Sequence, residues 1–309
     1  MSNQPVVVFE PGGYARFAGQ SVPERERLQA LTWLFAVMLL RGWRAKLRIA
    51  AFVAPALGFA IYTYVRTILP QFAVPAAEEG PFLLKNLSYI FAINVVQLLI
   101  TQAGQTAPLL ARDAHAGALL LYFSRPLLRP QYLLARWLST GGLAAVLLAG
   151  PVLVYLLTHG ATLGFAVQGT ALTGKAEYLV LPALALLVTV ASVLMAGMSS
   201  LVALAAGIVT RAPATAPLLY GGGILASTAL AYVLQAAVGQ SGWPKALNLF
   251  EGLRGPLVLL LWPLTQGNVA KVAVAEALMG TAVWAGLTAG AWWLLQRFLR
   301  NPPLGKGRA

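Results

Sequence analysis

Residues 111–132 read ARDAHAGALLLYFSRPLLRPQY, and they interrupt a chain that otherwise consists mostly of long apolar runs. Three arginines, one aspartate and two prolines make the stretch too polar and too broken to cross a bilayer as a helix. Its middle, Ala114–Phe123, still has an apolar helical face, and Pro126 would end a helix there. The stretch therefore predicts a loop between two membrane spans, with a short helix lying along the membrane surface.

The composition of the 309-residue chain is typical of a membrane protein. Hydrophobic residues make up 59% of it and charged residues only 10%, whereas soluble domains carry about 25% charged residues. Six apolar runs reach the length of about 17–25 residues that a membrane span needs, and the fourth exceeds it. These runs are Ile49–Val65, Leu87–Leu110, Leu138–Leu157, Leu179–Val209, Ala214–Val238 and Met279–Leu295. We therefore predict an all-α polytopic protein with one six-helix transmembrane domain over residues 49–298.

The N-terminal part of the chain divides into two segments. Residues 1–27 are polar, show no pattern of a cleavable signal peptide, and have no role that the sequence assigns. Residues 28–48 combine apolar residues at helical spacing with a basic end, which predicts an interfacial amphipathic helix. The alternative is that this segment is the buried start of the first span. Residues 299–309 form a short basic tail.

The basic residues are distributed unequally between the two sides of the predicted membrane domain. Sixteen Lys and Arg residues fall on the side of the N-terminus and six on the other, within a net charge of +13. The positive-inside rule then places both termini and loop 111–137 in the cytoplasm, in a cytoplasmic (inner) membrane. Because the charges lie in short loops between apolar runs, we expect them to contact anionic lipids and do not expect nucleic-acid binding.

The outer segment between the fifth and sixth spans contains an apolar stretch, Pro256–Pro263, that is too short to cross. Non-helical backbone and short helices at membrane depth occur where protein shields them from lipid. The stretch therefore predicts a re-entrant extracytoplasmic segment before the last helix.

The sequence contains no recognisable catalytic site. Residues 169–176, GTALTGKA, nearly match a phosphate-binding loop, but Ala176 has no hydroxyl to hold magnesium and no βαβ unit surrounds the segment. There are no cysteines, and no cluster of metal ligands stands out. We expect no bound cofactor and no enzymatic activity in this chain.

Charged residues are absent from the six apolar runs, and we assign the two histidines, His115 and His159, to loops. Proton relays and ion-coupled carriers commonly hold ionisable residues inside the membrane. Their absence favours an energy source on another protein, although a Na⁺-coupled carrier that uses backbone carbonyls is not excluded.

Four polar residues of the second span follow one another at spacings of 3, 4 and 4, which places them on one helical face. They are Asn94, Gln97, Thr101 and Gln105. One interpretation is interhelical hydrogen bonding, and the other is a face that lines a translocation pathway at a subunit interface.

The interrupting stretch also resembles a known family. A charged pair, a glycine, a leucine-rich turn, a Ser-Arg-Pro step and later basic residues resemble the loop between spans 2 and 3 in permease subunits of ABC-2 type transporters. The residues that carry the resemblance are Arg112, Asp113, Gly117, Ser124, Arg125, Pro126, Arg129, Tyr132 and Arg136. Ala118 stands where that family often has threonine, and Arg136 where lysine is common.

The resemblance implies an ATP-driven exporter in which this chain is the permease. It would pair with a second copy, or with a related paralogue, and dock two cytoplasmic ABC ATP-binding subunits that hold ATP and Mg²⁺. Loop 111–137 would be the ATPase-coupling loop, with its arginines facing carboxylates on the partner. The apolar spans suit a lipidic or amphiphilic substrate.

Three alternatives stay open at this point. The first is a membrane scaffold that transmits force to a larger machine. The second is an ATP-independent carrier. The third gives the loop arginines a plainer role, in which they contact lipid phosphates and no protein partner.

Overall fold

The computed structural model describes residues 23–69, 76–116, 118, 129–163, 178–238, 243–262 and 271–300. Within these ranges the chain is helical almost throughout and contains no strand. The described helices are α1 (Glu24–Leu40), α2 (Trp43–Ile68), α3 (Ala76–Thr101), α4 (Leu109–His115), α5 (Arg129–Leu163), α6 (Val180–Thr210), α7 (Ala216–Val238), α8 (Trp243–Ala246), α9 (Leu249–Leu253), α10 (Gly255–Leu261) and α11 (Lys271–Arg300). The prediction of an all-α protein is confirmed.

Six of the described helical stretches are long and apolar enough to cross a membrane, and each overlaps one of the six predicted runs. They are Trp43–Arg66, Phe82–His115, Pro130–Leu163, Val180–Thr210, Ala216–Ala237 and Val274–Phe298. Most are longer than the predicted runs because polar residues at the ends continue the helix. The chain is therefore a polytopic membrane protein.

The sequence predicts one interfacial helix over residues 28–48. In the structure the chain instead breaks between α1, which ends at Leu40, and α2, which begins at Trp43. Gly42 has a φ of 95°, a backbone conformation that glycine adopts without steric cost, and it turns the chain. Residues 43–48 consequently form the first turns of α2. The Arg48 guanidinium donates to the Leu39 carbonyl oxygen at 3.3 Å, which holds the two helices at this elbow.

Polar and apolar residues of α1 are separated along its axis rather than across it. Residues 24–29 are mostly charged or polar, and residues 33–40 are apolar. In the apolar half, Phe35 is fully buried against the bundle while Trp33 is 72% exposed. Both faces of this half are therefore apolar, as expected of a helix that enters a membrane surface from one end.

The second span contains one π-helical turn at Gln102–Thr106, between α3 and α4. Its wider hydrogen bond runs from the Ala107 amide to the Gln102 carbonyl at 2.9 Å. Pro108 follows directly. Proline has no amide hydrogen, and its ring would crowd the carbonyl four residues earlier in a regular α-helix. The wider turn relieves that contact and lets the helix continue.

Helix α6 lies at the centre of the bundle and packs against α5, α7, α10, α11 and the π turn. At Gly207 its backbone lies directly against the π turn. A Cβ atom added there would lie 2.2 Å from the Ala107 carbonyl oxygen. Only glycine allows this approach, because a backbone carbonyl in a helix cannot move aside easily.

The predicted re-entrant stretch forms the last of three short helices, α8–α10. Gly255, Leu253 and Leu257 are buried against the bundle, and Gly252 lies against the backbone of Gly280 in α11. Asn248 caps α9 by accepting from two backbone amides, those of Phe250 and Glu251. As predicted, protein shields these short helices.

We expect Gly207→Ala to lower the free energy of unfolding by about 1–3 kcal/mol, because the added methyl group has to displace a helix backbone. The control is Gly286→Ala in α11, where an added Cβ meets nothing within 4 Å. That change should be neutral or stabilising, because alanine is the better helix former. Thermal unfolding of the purified protein in detergent measures both, and equal effects of the two variants would contradict the close approach.

Candidate functional site

The two ends of the loop between the second and third spans are tied together by an ion pair. A guanidinium nitrogen of Arg136 in α5 lies 2.5 Å from a carboxylate oxygen of Asp113 in α4. The Tyr132 hydroxyl donates to the same oxygen. Both charged side chains are largely buried, with 6% of Arg136 and 16% of Asp113 exposed. Asp113 is the only aspartate of the chain, so no other aspartate competes for this arginine.

Helix α1 joins this arrangement through an aromatic ring. The Arg136 guanidinium carbon lies 3.7 Å from the ring centroid of Phe35, a close cation–π contact. The rings of Phe35 and Tyr132 meet edge to face, with centroids 6.0 Å apart. We call Phe35, Asp113, Tyr132 and Arg136 the loop clamp. It fixes α1, α4 and α5 to one another at the point where the loop leaves the bundle.

Three of the nine predicted loop residues, Asp113, Tyr132 and Arg136, thus contact one another and point into the protein. The Arg136 guanidinium is occupied within the chain and does not face outward. Arg112, by contrast, is exposed beside the loop. Gly117, Ser124, Arg125 and Pro126 lie outside the described residues, as does the Arg129 side chain. Of the predicted surface helix over residues 114–123, residue 117 and residues 119–123 likewise lie outside the described residues.

Sequence reasoning missed the clamp, although part of its pattern is visible. Tyr132 and Arg136 are four residues apart and therefore lie on one helical face. A lone aspartate in an apolar chain needs a cation if it is to be buried. Nothing in the sequence, however, indicates Phe35, which lies on a separate helix.

The predicted polar face of the second span is divided in the structure. Asn94 is fully buried, and its side-chain amide has no hydrogen-bond partner among the described residues. Gln97 is half-buried. Thr101 and Gln105 line a narrow crevice between α2, α5 and the π turn, together with Arg48. The face therefore runs from the protein core to a crevice beside the α1–α2 elbow.

A second set of polar contacts, which the sequence did not predict, converges on residues 197–200 of α6. Gln102 of the π turn donates to the Ser200 hydroxyl at 2.8 Å, and the Trp137 indole of α5 donates to the Gly197 carbonyl at 3.0 Å. The hydroxyls of Ser199 and Tyr220 in α7 lie 2.6 Å apart. Interhelical hydrogen bonds in membranes contribute about 0.6 kcal/mol each on average, and three of them here join four segments.

The assignment of both histidines to loops is wrong. His115 is the last residue of α4, and His159 lies inside α5 and is fully buried. The described spans also include Arg66, which is 5% exposed and stacks over the Phe82 ring at 4.1 Å. The absence of charge that favoured an external energy source therefore holds for the predicted runs but not for the longer helices.

His159 and Arg66 both lie near Tyr155, at the end of the bundle opposite the loop clamp. The rings of His159 and Tyr155 are 6.3 Å apart, and Tyr155 accepts a hydrogen bond from the Asn86 side chain at 3.1 Å. Thr63 of α2 is also buried, beside Tyr155. We call this set, with Arg66, the distal polar group.

No family model, no curated protein and no solved structure matches the chain. The functional assignment accordingly depends on the residues of the loop and on the geometry that holds it.

The loop clamp predicts strong energetic coupling between its two charges. Arg136→Gln and Asp113→Asn should each lower the free energy of unfolding by about 3 kcal/mol, because each leaves a buried charge without its partner. The free energy of unfolding of the double variant should fall by clearly less than the sum of the two single effects.

Chemical or thermal unfolding in detergent measures this double-mutant cycle. Arg300→Gln is the control, since it removes an exposed arginine at the end of α11 and should change stability by less than about 0.5 kcal/mol. Additive effects of the two clamp substitutions would contradict an ion pair.

Proposed function

We propose that the chain is the permease subunit of an ABC-2 type exporter, driven by ATP hydrolysis on separate cytoplasmic subunits. The observation that supports this proposal is the loop clamp. A loop that receives force from a partner has to be anchored firmly to the helices that it moves. The clamp anchors both ends of this loop, at Asp113 and Arg136, and adds α1 through Phe35.

The helix that leaves the clamp is suited to carry such a movement. Helix α5 has 35 residues and would be about 50 Å long if straight. It packs along α6, α2 and α1, so a shift at its first turns changes contacts with three helices. In this proposal, closure of the ATP-binding subunits pushes on the loop, and the clamp passes the push to α5 and α1.

The exposed cations of the loop would form the docking surface. Arg112 is exposed at the mouth of the loop, and the sequence places Arg125 and Arg129 in or beside it. Arginine forks bind carboxylates in a fixed geometry, which suits a contact that has to transmit direction as well as attraction. ATP and Mg²⁺ would be bound by the two partner subunits, and this chain would supply no nucleotide chemistry.

The remaining features of the proposal follow from topology and charge. The basic end of the bundle, with both termini, would face the cytoplasm of a cytoplasmic (inner) membrane and contact anionic lipids. A second permease, identical or related, would complete the transporter. Alternating access would come from rigid movements of the two helical bundles, with a lipidic or amphiphilic substrate passing between them.

Arg112→Glu should weaken docking without unfolding the permease, because Arg112 is exposed and outside the clamp. The experiment reconstitutes the permease with its cognate ABC ATP-binding subunit, and measures complex formation and ATPase rate. Reversal of one interfacial charge should lower the affinity at least about tenfold. Arg300→Glu, also exposed and at the basic end, should leave both readouts unchanged. Failure of the unmodified permease to form a complex or to alter the ATPase rate would refute the docking proposal.

The proposed orientation is testable because the chain has no cysteine. Ala116→Cys, exposed beside the loop, should react with a membrane-impermeant maleimide only in inside-out vesicles. Ala237→Cys, exposed at the opposite end of α7, should react only in right-side-out vesicles. Reversed labelling would place the loop on the wrong side for a cytoplasmic ATPase.

The distal polar group favours a second candidate, an ATP-independent carrier. Buried ionisable residues inside spans are costly and often belong to ion pathways, and both Arg66 and His159 are of this kind. Transport by the purified chain in liposomes distinguishes the two candidates. A carrier would transport its substrate in response to an imposed ion gradient with no ATP-binding protein present, whereas the permease would not.

A further inference from the structure

A cavity of about 380 Å³ lies at the end of the bundle opposite the loop clamp, between α7, the three short helices and α11. Its size falls in the range of about 300–1,000 Å³ that is usual for small-molecule sites. The side chains that line it are mostly polar, unlike the lipid-facing surface around it. They include Tyr232, Gln235, Lys245, Asn248, Glu251, Arg254 and Glu276.

The charges of this cavity form two ion pairs of balanced sign. Lys245 lies 3.0 Å from Glu276, and Arg254 lies 3.2 Å from Glu251. In each pair, one of the two side chains is more exposed than the other. In the first pair Lys245 is 38% exposed and Glu276 18%, whereas in the second Glu251 is 49% exposed and Arg254 18%. The cavity therefore offers one accessible cation, Lys245, and one accessible anion, Glu251.

This arrangement selects for the charge pattern of a ligand. A purely anionic ligand would be attracted by Lys245 but repelled by Glu251, and a purely cationic ligand would meet the reverse. A group that carries both an anion and a cation complements both side chains at once. Arg254 is the more covered of the two cations, and its guanidinium also donates to the Ser88 hydroxyl at 2.9 Å.

The surroundings of the cavity indicate that such a ligand has an apolar part. Tyr232 lines the cavity and is 60% exposed. Leu225, two helical turns before Tyr232 and therefore on the same face of α7, is also exposed, so this face presents an apolar surface beside the cavity. Tyrosine is enriched where the hydrocarbon meets the headgroup region. An acyl chain lying along α7 would thus bring its headgroup to the cavity mouth.

We propose that this cavity binds a zwitterionic headgroup of the ammonium–phosphate type, as in phosphatidylethanolamine. The phosphate contacts the Lys245 ammonium and the ligand ammonium contacts the Glu251 carboxylate. The proposal rests on the cavity alone, so it holds whether or not the chain is driven by an ATPase.

The test titrates the purified full-length protein in detergent and counts bound ligand by native mass spectrometry. Lysophosphatidylethanolamine should bind at least about tenfold more tightly than lysophosphatidylglycerol with the same acyl chain, whose headgroup lacks the ammonium. Glycerophosphoethanolamine, which has no acyl chain, distinguishes a lipid from a soluble zwitterion. Binding as tight as that of the lysolipid assigns the site to a soluble ligand of the same chemistry.

Two substitutions separate the roles of the charges. Glu251→Gln should remove the preference for the ethanolamine lipid. Lys245→Gln should lower the affinity for both lipids by about fivefold, as expected for the loss of one partly exposed charge contact. Glu251 is half exposed and pairs with Arg254 one turn away, so the unfolding temperature of each variant is measured to check that the fold is kept. Lys85→Gln, which removes an exposed lysine outside the lining, is the control and should change neither affinity.

Two results would overturn the proposal. One is equal or tighter binding of the phosphatidylglycerol analogue to the unmodified protein, which would indicate a general site for anionic lipids. The other is an unchanged affinity for the ethanolamine lipid in both variants while each keeps the unfolding temperature of the unmodified protein.

Discussion

The ion pair between Asp113 and Arg136 is the contact on which the architecture at the loop end of the bundle depends. A guanidinium buried at a helix packing surface is tolerable only with a counter-charge and hydrogen bonds, and Asp113, Tyr132 and the ring of Phe35 supply them together. Because these groups come from three separate helices, the requirement to keep Arg136 paired also fixes how those helices meet. Burying the two charges costs desolvation energy, so we expect the pair to fix the arrangement of the helices more than it adds to net stability.

A second constraint acts at the middle of the bundle, where polar groups have no water to bind. Residues 197–200 of α6 form hydrogen bonds with three other segments, and Gly207 allows the π turn to lie against the helix backbone. Small residues and hydroxyls are therefore concentrated on the helix with the most neighbours. This agrees with the general finding that close packing and interhelical hydrogen bonds, rather than a hydrophobic driving force, hold membrane helices together.

The six spans were predictable from the sequence because length and apolarity are local properties, and a bilayer demands both. The details that fix the site were not. In the clamp, Arg136 lies 23 positions after Asp113 in the sequence and Phe35 lies 78 positions before it. No local pattern encodes contacts over such separations. The π turn depends on a clash between the Pro108 ring and a carbonyl, which the residue order suggests only weakly. His159 was misplaced because Thr158, His159 and Gly160 look like the end of a span. In the structure, the ring of Tyr155 one turn earlier gives the histidine a neighbour, and α5 continues to Leu163.

The loop clamp and the distal polar group are linked by α5, which carries Arg136 near one end and Tyr155 and His159 near the other. A movement that enters through the loop therefore acts on both, unless the helix bends between them. Pro151 lies in that interval and removes one backbone hydrogen bond, so bending is easiest there. If α5 bends at Pro151, the half before Pro151 can shift with α1 while the hydrogen bond between Asn86 and Tyr155 is kept. If α5 moves as a rod, that buried bond has to break. A buried polar bond that breaks has to find new partners at once. Rod-like motion would therefore switch the distal end of α5 between two discrete arrangements, whereas bending would leave that end fixed and confine the change to the half that carries the loop clamp.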